Sequence, residues 1–238
     1  MKNRILIEVC LDSVESAIAA REGGADRIEL CADLPRGGTT PSLGTIEEVR
    51  AACALPLHVL IRPRAGDFVY TPHEIRVIER DIDAAKQAGA NGVVIGILTS
   101  EGNVDRERVR ALIERARPLH VTFNRAFDIA RDPFAAMEDI IEAGANTMLT
   151  SGQAPSAVEG QKLIAELVRR STGRIVVMAG AGLTPANAAR IAGATDVQAL
   201  HVGSGVSRGT ASDSPLLAAT RLVVTAEAVR AFCSMTRT

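Results

Sequence analysis

Two short segments carry the same spacing, an acid followed two positions later by a cysteine: Glu8 with Cys10, then Glu29 with Cys31. Each lies in an aliphatic run, with Ile5, Ile7 and Val9 around the first and Ile28 and Leu30 around the second, so both read as strands. Residues two apart on a strand share a face, so each acid points the same way as its cysteine. The aliphatic parity suits a layer packed under helices, which leaves Glu8, Cys10, Glu29 and Cys31 facing the opposite side. Carboxylates facing inward are costly unless paired. Cations are available in Arg62 and Arg64, in Arg125 and in His201, all toward the carboxyl ends of later β-type runs.

Several chemistries fit this set. In an anion-recognising pocket, Arg62 and Arg64 would clamp a carboxylate or phosphate, Glu8 or Glu29 would act as general acid or base, and His201 would polarise or relay. This is the pattern of an isomerase, lyase or aldolase acting on a small phosphorylated or carboxylated metabolite. Lysine is absent near the strand ends, which disfavours a Schiff-base aldolase. In a metal reading, Cys10 and Cys31 end adjacent strands about 4.8 Å apart and could share one soft ion such as Cu(I). Zinc is a poorer fit, because it normally takes four ligands and no CxxC or HExxH spacing occurs. A third reading is structural: a salt-bridge network that plugs the barrel and fixes strand register. Glycines after the last two strands, Gly180 and Gly182, then Gly203 with Ser204 and Gly205, match loops that bind phosphate through backbone amides. The same glycines also permit tight turns. Cys53 and Cys233 read as small buried hydrophobes. His58 and His120, early in strands, read as hydrogen-bonded core groups, and His73, in the first turn of a helix, as solvated.

The elements that must position these residues alternate regularly. The β-type runs are Arg4 to Cys10, Arg27 to Cys31, Leu57 to Arg62, Gly92 to Ile97, Leu119 to Phe123, Thr147 to Thr150, Arg174 to Ala179 and Val197 to Val202. Helical patterns separate them, as βαβ units on a parallel sheet require. Start signals are clear at Thr71-Pro72 with Glu74, at Asp132-Pro133 and at Thr184-Pro185. Gly24-Ala25-Asp26, Gly89-Ala90-Asn91, Gly144-Ala145-Asn146 and Gly193-Ala194-Thr195 form a weak repeat, each glycine expected to cap a helix before an even-numbered strand. Four βαβα quarters make eight strands and favour closure into a barrel over an open doubly wound sheet. The expectation is an α/β chain forming a single (β/α)8 TIM barrel with a C-terminal helix. One domain would span residues 1–238, with a core at about 4–203 and a tail at 204–238 that forms a polar flap and then a helix from about Pro215 to Cys233. In such a barrel, working sites lie at the carboxyl-terminal mouth of the strands.

Composition narrows the partners. The chain has 238 residues, within the size of one barrel domain, and a formal net charge of -1 with 47% hydrophobic residues. That balance disfavours disorder and gives no electrostatic attraction for nucleic acid or an anionic membrane. With no Trp and one Tyr, stacking on bases is also disfavoured. No run approaches the roughly 18 apolar residues of a spanning helix, and the start at Met1-Lys2-Asn3-Arg4 lacks an apolar core and a small-residue cleavage site. The expectation is a cytosolic protein with reduced thiols and a small-molecule partner, since four scattered cysteines do not make a disulfide scaffold.

These residues also carry a resemblance. The chain is similar over nearly its full length to the CutC copper homeostasis family. The resemblance rests on Leu6-Ile7-Glu8-Val9-Cys10, Gly24-Ala25-Asp26-Arg27-Ile28-Glu29-Leu30-Cys31, Gly37-Gly38 with Thr40-Pro41-Ser42, and Arg62-Pro63-Arg64 with Gly66-Asp67-Phe68. It continues through Gly102-Asn103-Val104-Asp105, Arg125-Ala126-Phe127-Asp128, Leu149-Thr150-Ser151-Gly152 and Met178-Ala179-Gly180-Ala181-Gly182. The resemblance implies a cytosolic (β/α)8 barrel that forms a homo-oligomer, a dimer or tetramer, and binds Cu(I) through Cys10 and Cys31, with no further cofactor. It assigns no catalytic activity. One position departs from the family pattern: Asn124 stands where the family usually has histidine before Arg125-Ala126-Phe127-Asp128. Asparagine can hydrogen-bond but cannot shuttle a proton near neutral pH or ligate a soft metal, so no mechanism through that position carries over.

Overall fold

The computed structural model describes residues 4–210 and 221–236. Eight parallel strands pair in chain order and close on themselves: β1 (Leu6–Leu11), β2 (Arg27–Leu30), β3 (Leu57–Leu60), β4 (Gly92–Ile95), β5 (His120–Phe123), β6 (Thr147–Thr150), β7 (Val176–Gly180) and β8 (Ala199–Val202). Closure is made where β1 meets β8, with Glu8 opposite His201 and Val9 opposite Val202. The helices between strands are α1 (Val14–Gly23), α2 (Leu43–Ala52), α3 (Pro72–Gln87), α4 (Arg106–Ala116), α5 (Pro133–Ala143), α6 (Gln161–Ser171) and α7 (Ala188–Thr195). After the barrel, β9 (Ser207–Thr210) pairs antiparallel with β10 (Arg221–Val224), and α8 (Ala226–Thr236) follows. The helix expected from about residue 215 therefore begins later. Residues 221–224 are strand, and 211–220 lie outside the described residues.

Local chemistry sets most boundaries. Thr71 accepts from the Glu74 amide while Glu74 accepts from the Thr71 amide, closing a capping box at the start of α3. Asp132 accepts from the Phe134 and Ala135 amides ahead of α5, whose first residue is Pro133. Gly24 and Gly144 end α1 and α5 in the left-handed conformation, at φ 90° and 96°. The expected pattern fails on α7. Thr184-Pro185 does not start that helix; a turn intervenes and Asn187 precedes it, its side chain accepting from the Thr184 amide. Gly193 lies inside α7, and Asp196, at φ 57°, takes the left-handed cap instead.

The outward strand residues, among them Ile7, Val9, Ile28, Leu30, Leu57, Val59, Val93, Val121, Phe123, Met148, Val177 and Leu200, form one buried cluster with the helices. Burial of this sandwich-like layer is the main force holding the cylinder. The barrel's inside is different. Leu149, Met178 and Ala199 form an apolar patch on the β6–β8 side, packed by Leu6 and Val176, and Cys10, Cys31, Leu60 and Val94 form another near β1–β4. Between these patches the interior is filled by ionisable side chains. Gly92 faces that interior, and a Cβ there would lie 2.6 Å from the His58 ring, so this glycine makes room for an imidazole.

Candidate functional site at the barrel mouth

The interior polar set is layered along the barrel axis. Glu8, fully buried, accepts from Arg27 Nε at 2.5 Å and has His201 Nδ1 at 2.9 Å from its other carboxyl oxygen. His58 Nδ1 lies 3.8 Å from the oxygen that meets Arg27. These contacts follow from register: Glu8 on β1 lies opposite both Arg27 on β2 and His201 on β8. One step nearer the mouth, Cys10 is opposite Glu29. His201 Nε2 approaches Glu29 at 3.6 Å, and the sulfurs of Cys10 and Cys31 are 3.7 Å apart. A sulfur of each cysteine and a carboxylate oxygen of Glu29 all lie within 4.8 Å of one another.

Burial and neighbouring charge divide these groups sharply. Burial pushes the Glu8 carboxyl up, but the Arg27 guanidinium and the His201 ring outweigh it and hold the group well below the usual carboxylate range. Glu29 is pushed well above its ordinary value by burial and by the charge at Cys10. Cys10 is lowered to about 5, first by the hydrogen bond with Cys31 and then, against burial, by His201. Cys31 is raised by that same hydrogen bond and by burial. Burial lowers His201, but Glu29, Cys10 and Glu8 together raise it well above its ordinary value, so the ring is an imidazolium. His58 and His120 are lowered by burial to about 3 and about 4, and stay neutral. At neutral pH the chamber thus holds a carboxylate between guanidinium and imidazolium, with a thiolate beside a protonated thiol and an acid whose pKa is raised.

Above this layer the mouth opens into a cavity of about 420 Å³, open solvent included, lined among others by Glu29, Cys31, Leu60, Arg62, Asn124 and His201. Of the residues expected from the sequence, Glu8, Cys10, Glu29, Cys31, Arg62 and His201 all come together in or directly beneath this mouth. Arg64 does not. Its guanidinium turns outward, bonding Glu74 at 2.5 Å and Asp67 at 2.9 Å and stacking over Tyr70, so the expected pairing with Arg62 is corrected. Arg125 lines the cavity edge and pairs with Asp128 at 2.7 Å.

The glycine residues flank the mouth, and packing accounts for glycine at positions 180 and 182. A Cβ on Gly180 would lie 2.7 Å from Leu149 and 3.3 Å from His201, and one on Gly203 would touch Cys10. Gly182 sits at φ 70° against Ser156, and Ser204 starts a short 3-10 turn. His120 is an interior group bonding Thr147, and His73 is exposed, as expected; His58 is interior too, but its Nδ1 has no hydrogen-bond partner among the described residues, so the expected hydrogen-bonded role is corrected there. Cys53 and Cys233 are buried away from the mouth.

Two contributors were not singled out in the sequence. Arg27 could have been found, because it lies two residues before Glu29 and so shares its inward face. Asp128 had no such signal. It accepts from Thr150 Oγ1, from the amides of Ser151 and Gln153, from Ser151 Oγ and from Arg125, tying the β5 loop to the β6 loop. Asn124 starts the 3-10 turn at residues 125–129 by accepting from the Ala126 amide, a structural task that asparagine performs at the mouth.

Fold and site together define a (β/α)8 barrel protein whose mouth assembles paired thiols, carboxylates and an imidazolium. The chain belongs to the CutC family, whose family model matches residues 5–206. It is similar to the human copper homeostasis protein cutC homolog, 51% identical over 197 residues that cover 82% of this chain and 72% of the relative. A CutC family protein of Bacteroides thetaiotaomicron is likewise 51% identical, over 82% of this chain and 78% of its own length. Among solved structures, the putative copper homeostasis protein CutC from Streptococcus agalactiae superposes with a TM-score of 0.78 at 33% identity, covering 84% of this chain and 98% of that one. The barrel is also shared with N-(5'-phosphoribosyl)anthranilate isomerase of Pyrococcus furiosus, with a TM-score of 0.65 at 14% identity over 98% of both chains, a likeness of fold alone.

Proposed function

We propose that this chain is a cytosolic copper-handling protein that takes Cu(I) as cargo between Cys10 and Cys31 at the barrel mouth. One observation carries the reading: two sulfurs 3.7 Å apart with a Glu29 oxygen inside the same 4.8 Å cluster. Taking zinc–thiolate bonds of about 2.3 Å as a guide, two sulfurs on one ion can be at most about 4.6 Å apart, so the pair fits without strand movement. Thiolates are the donors a soft monovalent copper ion selects.

The surrounding groups suit that cargo. Cys10 is already ionised above about pH 5, so one ligand needs no proton removed. Cys31 must give up its proton, and Glu29 is the adjacent oxygen donor. His201 is oriented by Glu8 and held as a cation, so it serves as counter-charge to the thiolates and not as a ligand. Family relatives named for copper homeostasis support the same assignment. No helix among the described residues is long and apolar enough to cross a membrane. Assembly as a homo-oligomer is part of this proposal.

The test is a chelator-competition titration with Cu(I) on the reduced protein. The wild type is expected to bind with sub-micromolar affinity, and Cys10→Ser/Cys31→Ser to lose binding by about a hundredfold or more, the scale of losing both soft donors. Circular dichroism checks that the variant is folded. Unchanged affinity in a folded double variant refutes the assignment.

A further inference from the structure

Among the described residues, Arg62 is the mouth arginine that forms no ion pair; Asp67 acts on it from beyond ion-pair distance. Arg27 meets Glu8 at 2.5 Å, Arg64 meets Glu74 at 2.5 Å and Arg125 meets Asp128 at 2.7 Å. Arg62, only 6% exposed, is held instead by neutral carbonyls: Nη1 donates to Gly38 O at 2.9 Å and Gly37 O at 3.2 Å, and Nη2 to Gly66 O at 2.6 Å. Phe68 stacks on its face, 4.7 Å from ring centre to guanidinium carbon. The phenol of Tyr70 faces it as well, its pKa raised by burial against the pull of the Arg62 charge. Its Nε is buried and has no hydrogen-bond partner among the described residues. A buried cation held this way, with a donor left over, costs free energy unless an anion completes it.

Arg62 itself lines the mouth cavity, together with Leu60, Phe68 and Leu149. We infer that this part of the mouth is a binding site for a small monocarboxylate, its carboxylate on the Nε edge of Arg62 and its short apolar body between Leu60 and Leu149. The carbonyl contacts to Nη1 and Nη2 fix the guanidinium plane in advance, so little side-chain freedom is lost on binding. The Nε edge of a guanidinium presents parallel donors that match the two oxygens of a planar carboxylate. Phosphate fits worse. A dianion would face one uncompensated cation while lying near Glu29 and the cysteines, which line the same chamber. The apolar walls have nothing to offer its remaining oxygens. This inference is independent of copper, because Arg62 is not among the clustered donors.

Ligand-observed saturation-transfer NMR on the metal-free, reduced protein tests it, with the straight-chain acids from acetate to hexanoate, butyramide as the uncharged isostere, and inorganic phosphate. Butyrate or a near homologue is expected to give a saturable signal, with butyramide and phosphate weaker by about tenfold or more, the scale of one lost charge-assisted contact. Arg62→Met should abolish the signal. Because Arg62 also ties down Gly37, Gly38 and Gly66, a second variant, Leu149→Trp, fills the cavity and leaves the arginine in place; it should abolish the signal too. The inference is overturned if no acid gives a saturable signal, if butyramide or phosphate matches butyrate, or if Leu149→Trp binds unchanged.

Discussion

Replacing Arg27 by methionine isolates the interaction on which the interior charge arrangement turns. Arg27 and Glu8 meet at 2.5 Å with side-chain exposures of 7% and 0%, so removing the guanidinium strands a carboxylate out of water. Breaking a buried pair this way costs about 3 to 5 kcal/mol. The low end applies, about 3 kcal/mol, because His201 stays 2.9 Å from the other Glu8 oxygen and the new methionine packs where Arg27 now lies against Met178. The sign of the pH dependence follows from the direction of the shift. In the wild type Glu8 is held below its ordinary value of 4.5, so its contribution is complete above that value and is lost as pH falls through the folded pKa. In the variant burial loses its main opponent, so the folded pKa rises, and we expect it to pass the ordinary value of 4.5. Stability then falls as pH rises from there toward neutrality. Urea denaturation at several pH values between about 4.5 and 7.5 should show the gap to wild type widening toward neutral pH. Arg27→Met/Glu8→Gln, which removes both charges, should recover most of the loss and flatten that dependence. A gap constant with pH, or a double variant no better than the single one, refutes the account.

Two further outcomes follow from neighbouring residues. In Glu29→Gln, where the acid contributes no proton of its own, Cu(I) affinity should rise by about one log unit per pH unit between about pH 6 and 8, one proton leaving Cys31 while Cys10 is already ionised; chelator competition across that range measures the slope, and a slope of two would show that Cys10 is protonated at rest. Asp128→Ala, which strands donors from Thr150, Ser151, Gln153 and Arg125, should lower unfolding free energy by about 3 kcal/mol. A loss below about 1 kcal/mol in urea would show that those donors find water instead.

Period-two strand patterning was enough to read the barrel and the inward acids. Glu8, Cys10, Glu29 and Cys31 face inward because Ile7, Val9, Ile28 and Leu30 must face the helices, and no tertiary information is needed for that. The same rule applied one step earlier on β2 yields Arg27. What patterning could not give is where a long flexible side chain ends. Arg64 follows Arg62 by two residues but lies past the end of β3, where strand parity no longer holds, and Glu74 of the α3 capping box captures it. Asp128 was illegible for a related reason. Apart from Arg125 on its own turn, its donors come from the end of β6 and the loop after it, and short loops carry no period from which a partner can be inferred. Gly193 and Asp196 show the limit for caps: either residue type tolerates the left-handed conformation, and the length of the helix decided between them.

Closure of the sheet turns this list of residues into a site. Glu8 lies on the first strand and His201 on the eighth; in an open sheet with the same strand order they would occupy opposite edges. The β1–β8 pairing instead places Glu8 opposite His201 and, on its other side, opposite Arg27. The shift of β8 against β1 also matters, because the same imidazole reaches Glu8 through Nδ1 and, at 3.6 Å, Glu29 through Nε2. One ring therefore links the deeper carboxylate to the acid of the cysteine layer. A slip of one residue in the β1–β8 register would turn His201 to the outer layer among Leu200 and Val202 and put an apolar side chain in its place. Glu8 would then keep only Arg27 as a cation, and Cys10 would lose the imidazolium that helps hold it ionised. The register of a single strand pair thus governs both the folding free energy of the buried charges and the ionisation of the Cys10 thiol.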